Sequence, residues 1–471
     1  MCRSFIPRWG KAFEMRLIGQ FFPPEISLHY LRAALVPLEQ TLAMAAGGIL
    51  LAVILGMIAG IWVGAGLPGS TAIYSFLAGI RSFPDLTLAI LCVVVIGIGP
   101  AAGMIAIAIF YAAAIGKIFS DLFRSADPGA TQALRATGAS RLSVALFGLL
   151  PLRSKDILSY GTYEFESALR CSVIVGAVGG GGIGTELIGT INALDFRRAT
   201  TIILLLIALI AIIDACARRV KQRPGLLLLA LPLAALAFWQ DRPTMLAFAH
   251  SISTFASMLP PYLPHQAVLK LPKLLLETAQ IAIGGTFFAM LGGLPLGLAA
   301  ARNFAPPWIS LPVRRMLETL RAIPEVVWGL VLVGAIGTGP EAGVIALALH
   351  GTGSLGRLYA ESFENIRTEP LHSIAATGAR PLALAGFAYL PLAVAPLAVH
   401  TLFRLEWNVR AATIVGVIGA GGIGQALYNA QQLFFYQQMA AYILITGVIV
   451  GAVDYASSRF RQDMGLMERY A

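Results

Sequence analysis

Arg81-Ser-Phe-Pro-Asp85 and Arg321-Ala-Ile-Pro-Glu325 are one motif written twice, 240 residues apart. The stretches around it keep that interval. Ile96-Gly-Ile-Gly-Pro100 returns as Ile336-Gly-Thr-Gly-Pro340, Ala136-Thr-Gly-Ala139 as Ala376-Thr-Gly-Ala379, and Leu150-Pro151 as Leu390-Pro391. Glu166 and Arg170 return as Glu406 and Arg410, Ile183-Gly184 as Ile423-Gly424, and Asp214 as Asp454. Upstream, Pro23-Pro24 pairs with Pro260-Pro261 and Gly47-Gly48 with Gly284-Gly285 at an interval of 237, so a three-residue length difference lies before Arg81. An interval held over so many glycines, prolines and charges identifies a tandem duplication.

Composition says where the duplicated unit lives. Of 471 residues, 57% are hydrophobic and 12% charged, with a mean hydropathy of +0.77. Soluble domains carry about 25% charged residues, so a surface this apolar belongs in a bilayer. The fold class is all-α and polytopic. The net charge of +10 comes from basic residues clustered between apolar runs, as cytoplasmic loops carry them. Basic stripes interleaved with stacking aromatics are absent, which excludes nucleic acid as a partner. Cys92, Cys171 and Cys216 lie in apolar runs and Cys2 at the N-terminus, with no spacing that suits a zinc site or a disulfide framework. No metal site and no cofactor are expected. Residues 1–40 lack the long apolar core of a cleavable signal peptide.

A bilayer core about 30 Å thick takes roughly 20 apolar residues per helix. The first copy offers spans at 41–65, in two short pieces across 86–116, at 156–178 and at 199–216; the second repeats them at 277–299, 324–339, 341–359, 389–418 and 439–456. The division of 86–116 at Gly97-Ile-Gly-Pro100 follows from charge. Arg302, Arg314, Arg315 and Arg321 precede the equivalent run while Arg357, Arg367 and Arg380 follow it, so both flanks are cytoplasmic and the crossings between them are even. Five spans per copy is odd, and two parallel copies then need one additional span, placed at Leu226–Trp239. The expectation is two five-helix modules and about 11 transmembrane helices: an N-terminal segment at 1–40, module one at 41–222, a linker with its span at 223–275, and module two at 276–471. Arg3, Arg8, Lys11 and Arg16 make the N-terminus basic, which fits poorly with the outside location that eleven spans give it.

Three sets of residues carry candidate function. The first is a paired cytoplasmic segment, Gln132-Ala-Leu-Arg-Ala-Thr-Gly138 and His372-Ser-Ile-Ala-Ala-Thr-Gly378, each followed thirteen residues on by Pro151 or Pro391. A short helix, a glycine turn and a re-entering helix would make a knob projecting from the membrane. The second is a pair of glycine-rich turns, Gly179-x-Gly181-x-x-Gly184 and Gly419-x-Gly421-x-x-Gly424. They satisfy the dinucleotide-binding pattern literally, but each follows a membrane span instead of a strand, so the glycines are read as allowing tight turns and close helix approach. The third is charge inside the membrane. Glu166 with Arg170 and Glu406 with Arg410 are four apart on a helix, hence neighbours on one face. Such charges either neutralise each other or line a wet path for an anion. Over 404–410, Arg404 brings the second copy to +1, where Glu164 leaves the first at −1, so the second copy is the one expected to meet an anion. No G-x-x-x-x-G-K-[ST] sequence occurs, so energy from ATP must come from partners, and no HExxH or nucleophile elbow suggests an enzyme.

The paired segment resembles the loop motif Glu-Ala-Ala-x3-Gly-x9-Ile-x-Leu-Pro of the inner-membrane permeases of ABC importers. Arg321-Ala-Ile-Pro-Glu325, Ala375-Ala-Thr-Gly-Ala379, Glu406-Trp-Asn-Val-Arg-Ala-Ala412 and Val417-Ile-Gly-Ala-Gly-Gly-Ile-Gly424 are similar to the phosphonate-type members. The resemblance covers nearly the whole chain beyond residue 40, once per copy. It implies a multi-pass inner-membrane protein that receives a phosphonate or related phosphorus oxyanion from a periplasmic binding protein. It also implies that Gln132, Ala133, Arg135 and Gly138, with His372, Ser373, Ala375 and Gly378, seat on two cytoplasmic ATPase subunits. Glu166, Arg170, Arg404, Glu406 and Arg410 would lie on the translocation path, and Gly179, Gly181, Gly184, Gly419, Gly421 and Gly424 at the periplasmic gate. Membrane lipid is the remaining partner. Both copies depart from the motif at its leading acid, having Gln132 and His372. Two alternatives stay open: the same architecture carrying phosphite, an amino acid or a quaternary amine, and an ion-coupled carrier, in which duplicated halves also occur.

Overall fold

The computed structural model describes residues 22–126, 128–222, 248–366 and 368–463, with two isolated positions between 222 and 248. Among these residues all regular structure is helical. It forms two compact units that meet in sequence at Pro261 and Tyr262. In the first, α1 spans Leu28–Gly64, α2 Ser70–Ser82, α3 Asp85–Ile96 and α4 Pro100–Arg124. The short helices α5 (Pro128–Ala136) and α6 (Arg141–Val144) lead through a π-helical turn at Ala145–Leu149 to α7, Ser154–Val175. A second π turn, Gly176–Gly180, opens into α8 (Gly182–Asn192), followed by α9 (Phe196–Gln222) and α10 (Phe248–Ser257).

The second unit repeats this order as α11 (His265–Ala300), α12 (Pro307–Ala322), α13 (Glu325–Ile336), α14 (Pro340–Glu364), α15 (Thr368–Ala375) and α16 (Pro381–Leu384). A π turn at Ala385–Tyr389 precedes α17 (Leu390–Val415), and another at Gly416–Ala420 precedes α18 (Gly422–Gln432) and α19 (Tyr436–Asp463). The interval read from the sequence is therefore structural: α13, α14 and α18 begin 240 residues after α3, α4 and α8.

Each unit is built on one long helix pair. Gly48, Gly56 and Gly60 of α1 face Ile107, Ile115 and Phe119 of α4, and a Cβ at Gly56 would sit 2.8 Å from Ile115 Cγ2. Lipid tails give apolar helices no reason to prefer one another, so close backbone approach across small residues supplies the attraction. In the second unit Gly285, Gly293 and Gly297 of α11 face Leu347, Leu355 and Tyr359 of α14 in the same way.

Six helices are long and apolar enough to cross a membrane: α1, α4, the first part of α9, α11, α17 with its flanking turns, and α19. Three bent pairs, α2–α3 at 91°, α7–α8 at 58° and α12–α13 at 84°, raise the number to nine among the described residues. α14 equals α4 in length at 25 residues but carries Glu341, His350 and Arg357, and does not reach that standard of apolarity. The expected span at Leu226–Trp239 lies outside the described residues, so the count of eleven is neither reached nor refuted. The expected breaks fall at Gly97–Gly99 and Gly337–Gly339. α3 has only 12 residues, a rise of about 18 Å, so it is not a full crossing on its own. α1 and α11 begin a dozen residues ahead of the apolar runs at 41 and 277. Arg32 and Glu39 point outward from α1, and charges on an exposed face do not end a helix.

Candidate functional site

The segments expected to couple to ATPases are α5 and α15. Each ends in the same closure. Thr137 Oγ1 donates to the Leu134 carbonyl at 2.7 Å, and Thr377 Oγ1 to the Ile374 carbonyl at 2.7 Å, satisfying one of the orphan carbonyls at the helix C-terminus. Gly138 and Gly378 then turn the chain with φ of +82° and +77°, and nothing lies within 4 Å of a Cβ built at either. These glycines are required by backbone conformation and not by crowding. Inward, Leu134 rests on Gly148, while Ile374 packs against the cluster of Phe363, Leu371 and Tyr389. Outward, Gln132, Ala133, Arg135 and Gly138 are exposed, as are Ser373 and Gly378. The side chains of His372 and Ala375 lie outside the described set, although both residues belong to α15.

α7 leads away from this end. Its 22 residues rise about 33 Å, so the turn at Gly176–Gly180 stands at the opposite end of the module. Gly99 N–H donates to the Gly179 carbonyl at 3.0 Å, and Gly339 N–H to the Gly419 carbonyl at 3.0 Å, joining each glycine-rich turn to the α3–α4 or α13–α14 turn. Gly179 and Gly181 have φ of +103° and +81°, Gly419 and Gly421 of +105° and +93°. Gly184 and Gly424 are helical; a Cβ there would strike the Val173 or Thr413 carbonyl. The first amides of α8 and α18 are capped from afar. Ile183 N–H donates to Thr41 Oγ1 at 2.8 Å and Ile423 N–H to Thr278 Oγ1 at 3.0 Å. Gly182 N–H donates to Gln40 Oε1 at 3.2 Å and Gly422 N–H to Glu277 Oε2 at 2.9 Å. These long-range caps were missed in the sequence, where a threonine in an apolar run carries no signal of its own.

The membrane charges divide by module. Arg170 Nη1 donates to Glu166 Oε1 at 2.7 Å, as the four-residue spacing predicts. The second module corrects that expectation: Glu406 and Arg410 do not pair with each other. Glu406 accepts from Arg461, and Arg410 donates to Asp454, with both partners on α19. Seven residues apart, Asp454 and Arg461 lie on one face of α19, and each reaches across to α17. Arg461 also donates to Ser457 Oγ at 2.7 Å and lies 4.1 Å from the Phe403 ring centroid.

Arg404 stands apart. It is only 8% exposed, its Nε and Nη2 have no hydrogen-bond partner, and no carboxylate closes an ion pair with it among the described residues. Glu325, the first residue of α13, attracts it electrostatically and is itself buried, hydrogen-bonded by Trp407 and 3.6 Å from His350 Nε2. At Arg404's position the first module has Glu164, buried and hydrogen-bonded to Tyr160. At Glu325's position it has Asp85, which accepts from Leu86 N–H at 2.8 Å and Cys171 Sγ at 3.3 Å. Among the described residues no cluster of histidine, cysteine or carboxylate could hold a metal ion.

Residues 48–225 and 293–463 each match the family described as the binding-protein-dependent transport system inner membrane component, and the chain belongs to that family. It is 30% identical over 402 residues to the phosphate-import permease protein PhnE of Mycolicibacterium smegmatis, covering 81% of this chain and 75% of that protein. Over 225 residues it is 35% identical to the phosphite transport system permease protein PtxC of Stutzerimonas stutzeri, covering 47% of this chain and 81% of that one. Among solved structures, the methionine ABC transporter MetNI in inward-facing conformations aligns at 22% identity with a TM-score of 0.39, over 43% of this chain and 99% of that one. The protein is thus a multi-pass inner-membrane transport component and not an enzyme, of the kind that works with an ATPase and a solute-binding protein.

Proposed function

We propose that this chain is the transmembrane permease of an importer that takes a phosphonate, or a related small phosphorus oxyanion, from a periplasmic binding protein and moves it into the cytoplasm. Two ATPase subunits, one on α5 and one on α15, drive it. The observation that carries this reading is the exposed coupling segment present in both modules with the same threonine–glycine closure. The names of the relatives, a phosphate importer and a phosphite transporter, support the solute class.

The geometry suggests how the parts act. A push on α5 passes through the π turn at Ala145–Leu149 into α7, and a push on α15 passes through Ala385–Tyr389 into α17. Tyr389 O–H donates to the Asn303 carbonyl at 2.9 Å, so the second of these turns also grips the end of α11. At the far end the stiff rods meet the gate turns, whose Gly99–Gly179 and Gly339–Gly419 bonds make each turn move with its neighbouring hairpin. Arg135, Ser373 and their exposed neighbours would contact the ATPases, and Glu166, Arg170, Arg404, Glu406 and Arg410 would border the path. No bond is made or broken in the solute. Membrane vesicles holding this chain with its ATPases and binding protein should take up methylphosphonate when given ATP, and vanadate should stop the uptake. Vanadate-resistant uptake by the chain alone, driven by an ion gradient, would make it a carrier instead.

A further inference from the structure

We propose that Arg404 is the one anion-binding residue of the transport path, and that Glu325 is the internal counter-ion which a phosphorus oxyanion displaces from it. The nature of the ligand rests on the solute class proposed above; the position of the site does not.

Four of the five charged residues expected on the path are already answered within the protein. Glu166 and Arg170 answer each other, while Glu406 and Arg410 are answered by Arg461 and Asp454. Among the described residues, only Arg404 is buried with both Nε and Nη2 donating to nothing. A buried guanidinium with idle N–H groups loses its hydration without replacement, which proteins seldom tolerate outside a functional site. Its planar fork suits two oxygens of a tetrahedral oxyanion.

The surroundings make room for it. A Cβ at Gly351 of α14 would sit 3.3 Å from Arg404 Nε and 2.6 Å from Ala289 Cβ, so only glycine lets the guanidinium lie against that helix. One turn along α17, Asn408 is fully buried; its Nδ2 donates to Thr286 Oγ1 at 2.9 Å, and its Oδ1 has no partner. An idle acceptor beside an idle cation matches a ligand that has both anionic oxygens and a P–OH proton. The first module has Ile49, Phe110, Tyr111, Glu164 and Ala168 where the second has Thr286, His350, Gly351, Arg404 and Asn408. Among the described residues, the second module alone therefore carries this site.

Glu325 supplies the exchange. It attracts Arg404 without closing an ion pair, so an oxyanion competes with a carboxylate that is near but not bonded. His350 Nε2 lies 3.6 Å from that carboxylate. Its Nδ1 lies 2.9 Å from the Ile323 carbonyl and must carry hydrogen, so Nε2 donates toward Glu325 only as imidazolium. The Trp407 hydrogen bond holds Glu325 while the solute holds Arg404, and the return of Glu325 to Arg404 expels the solute.

The test uses the complete transporter in vesicles, with methylphosphonate as the probe and KM and maximal rate both read. R404Q should raise KM about tenfold, and R404K should raise it less, keeping charge but losing the fork. E325Q should do the reverse, lowering KM several-fold and lowering the maximal rate because release slows. Co-purification with the ATPases and the melting transition check that each variant folds. If R404Q does not assemble, E325Q decides: opposite movement of affinity and rate supports the exchange, and an unchanged KM overturns it. R404Q at the wild-type KM overturns the site while leaving the solute class intact. Wild-type vesicles that take up neither methylphosphonate, phosphite nor phosphate overturn the ligand assignment itself.

Discussion

Asp454 shows what a single residue decides in a bilayer. Its carboxylate holds Arg410 across the gap between α17 and α19. Removing one partner of this half-buried pair strands the other charge, at a cost below that of a fully buried pair, about 3–5 kcal/mol. D454N should therefore lower the stability of the detergent-solubilised protein by about 1–2 kcal/mol, and D454N combined with R410Q should cost less than the two single changes together. Additive losses in that double-mutant cycle would show that the two side chains do not interact. The same reasoning makes Glu406–Arg461 a second strut between these helices. These partnerships were only half legible beforehand. Glu406 and Arg410 stood out as charges in an apolar run, and helical spacing offered each the other as partner. Spacing along one helix contains no information about α19, so Asp454 could be matched to Asp214 but not to its role, and Arg461 carried no signal. Arg404 was legible as a difference between copies, and its missing partners became visible only in three dimensions.

At the scale of elements, the exits from α5 and α15, the helices proposed to couple, owe their shape to two left-handed glycines. At Gly138 a side chain would meet nothing, so the whole cost of G138A is backbone strain, about 1 kcal/mol. The doubly substituted G138A/G378A protein should fold and insert, yet co-purify several-fold less ATPase, because α5 and α15 leave the membrane at altered angles. Undiminished co-purification would separate these turns from coupling. The entry to α1 gives a prediction in pH. Glu25 accepts from Arg198 Nε at 2.8 Å, and that hydrogen bond holds its carboxyl below the ordinary value. A depressed carboxyl stabilises above its unfolded pKa and loses that contribution as pH falls through the folded one. Amide exchange at the start of α1 should accelerate with acidification through that interval, and in E25Q it should be fast throughout. Helix breaks at glycine pairs were readable because Gly-x-Gly-Pro fixes a turn locally. The starts of α1 and α11 were not, since charges such as Arg32 stop a hydropathy count without stopping a helix.

The molecule as a whole is a duplication whose halves have drifted at both ends. At the coupling end of the second module, Arg314 pairs with Glu364, which also accepts from Arg302 N–H at 2.7 Å. The first module has Tyr74 and Arg124 at the equivalent positions, where the guanidinium lies 4.9 Å from the ring centroid. The same two positions hold an ion pair in the second module and a cation–π contact in the first. Near the middle, the polar cluster around Arg404 exists in one module only. The duplication itself was plain in the sequence, because a constant interval needs no knowledge of contacts. The division of labour was not, because it depends on which charges find partners. If each chain contains both halves of the transporter, one chain should suffice for a full complex. Native mass measurement of the purified assembly is the direct test. The account predicts one copy of this chain with two ATPase subunits; two copies of this chain in each complex would contradict it.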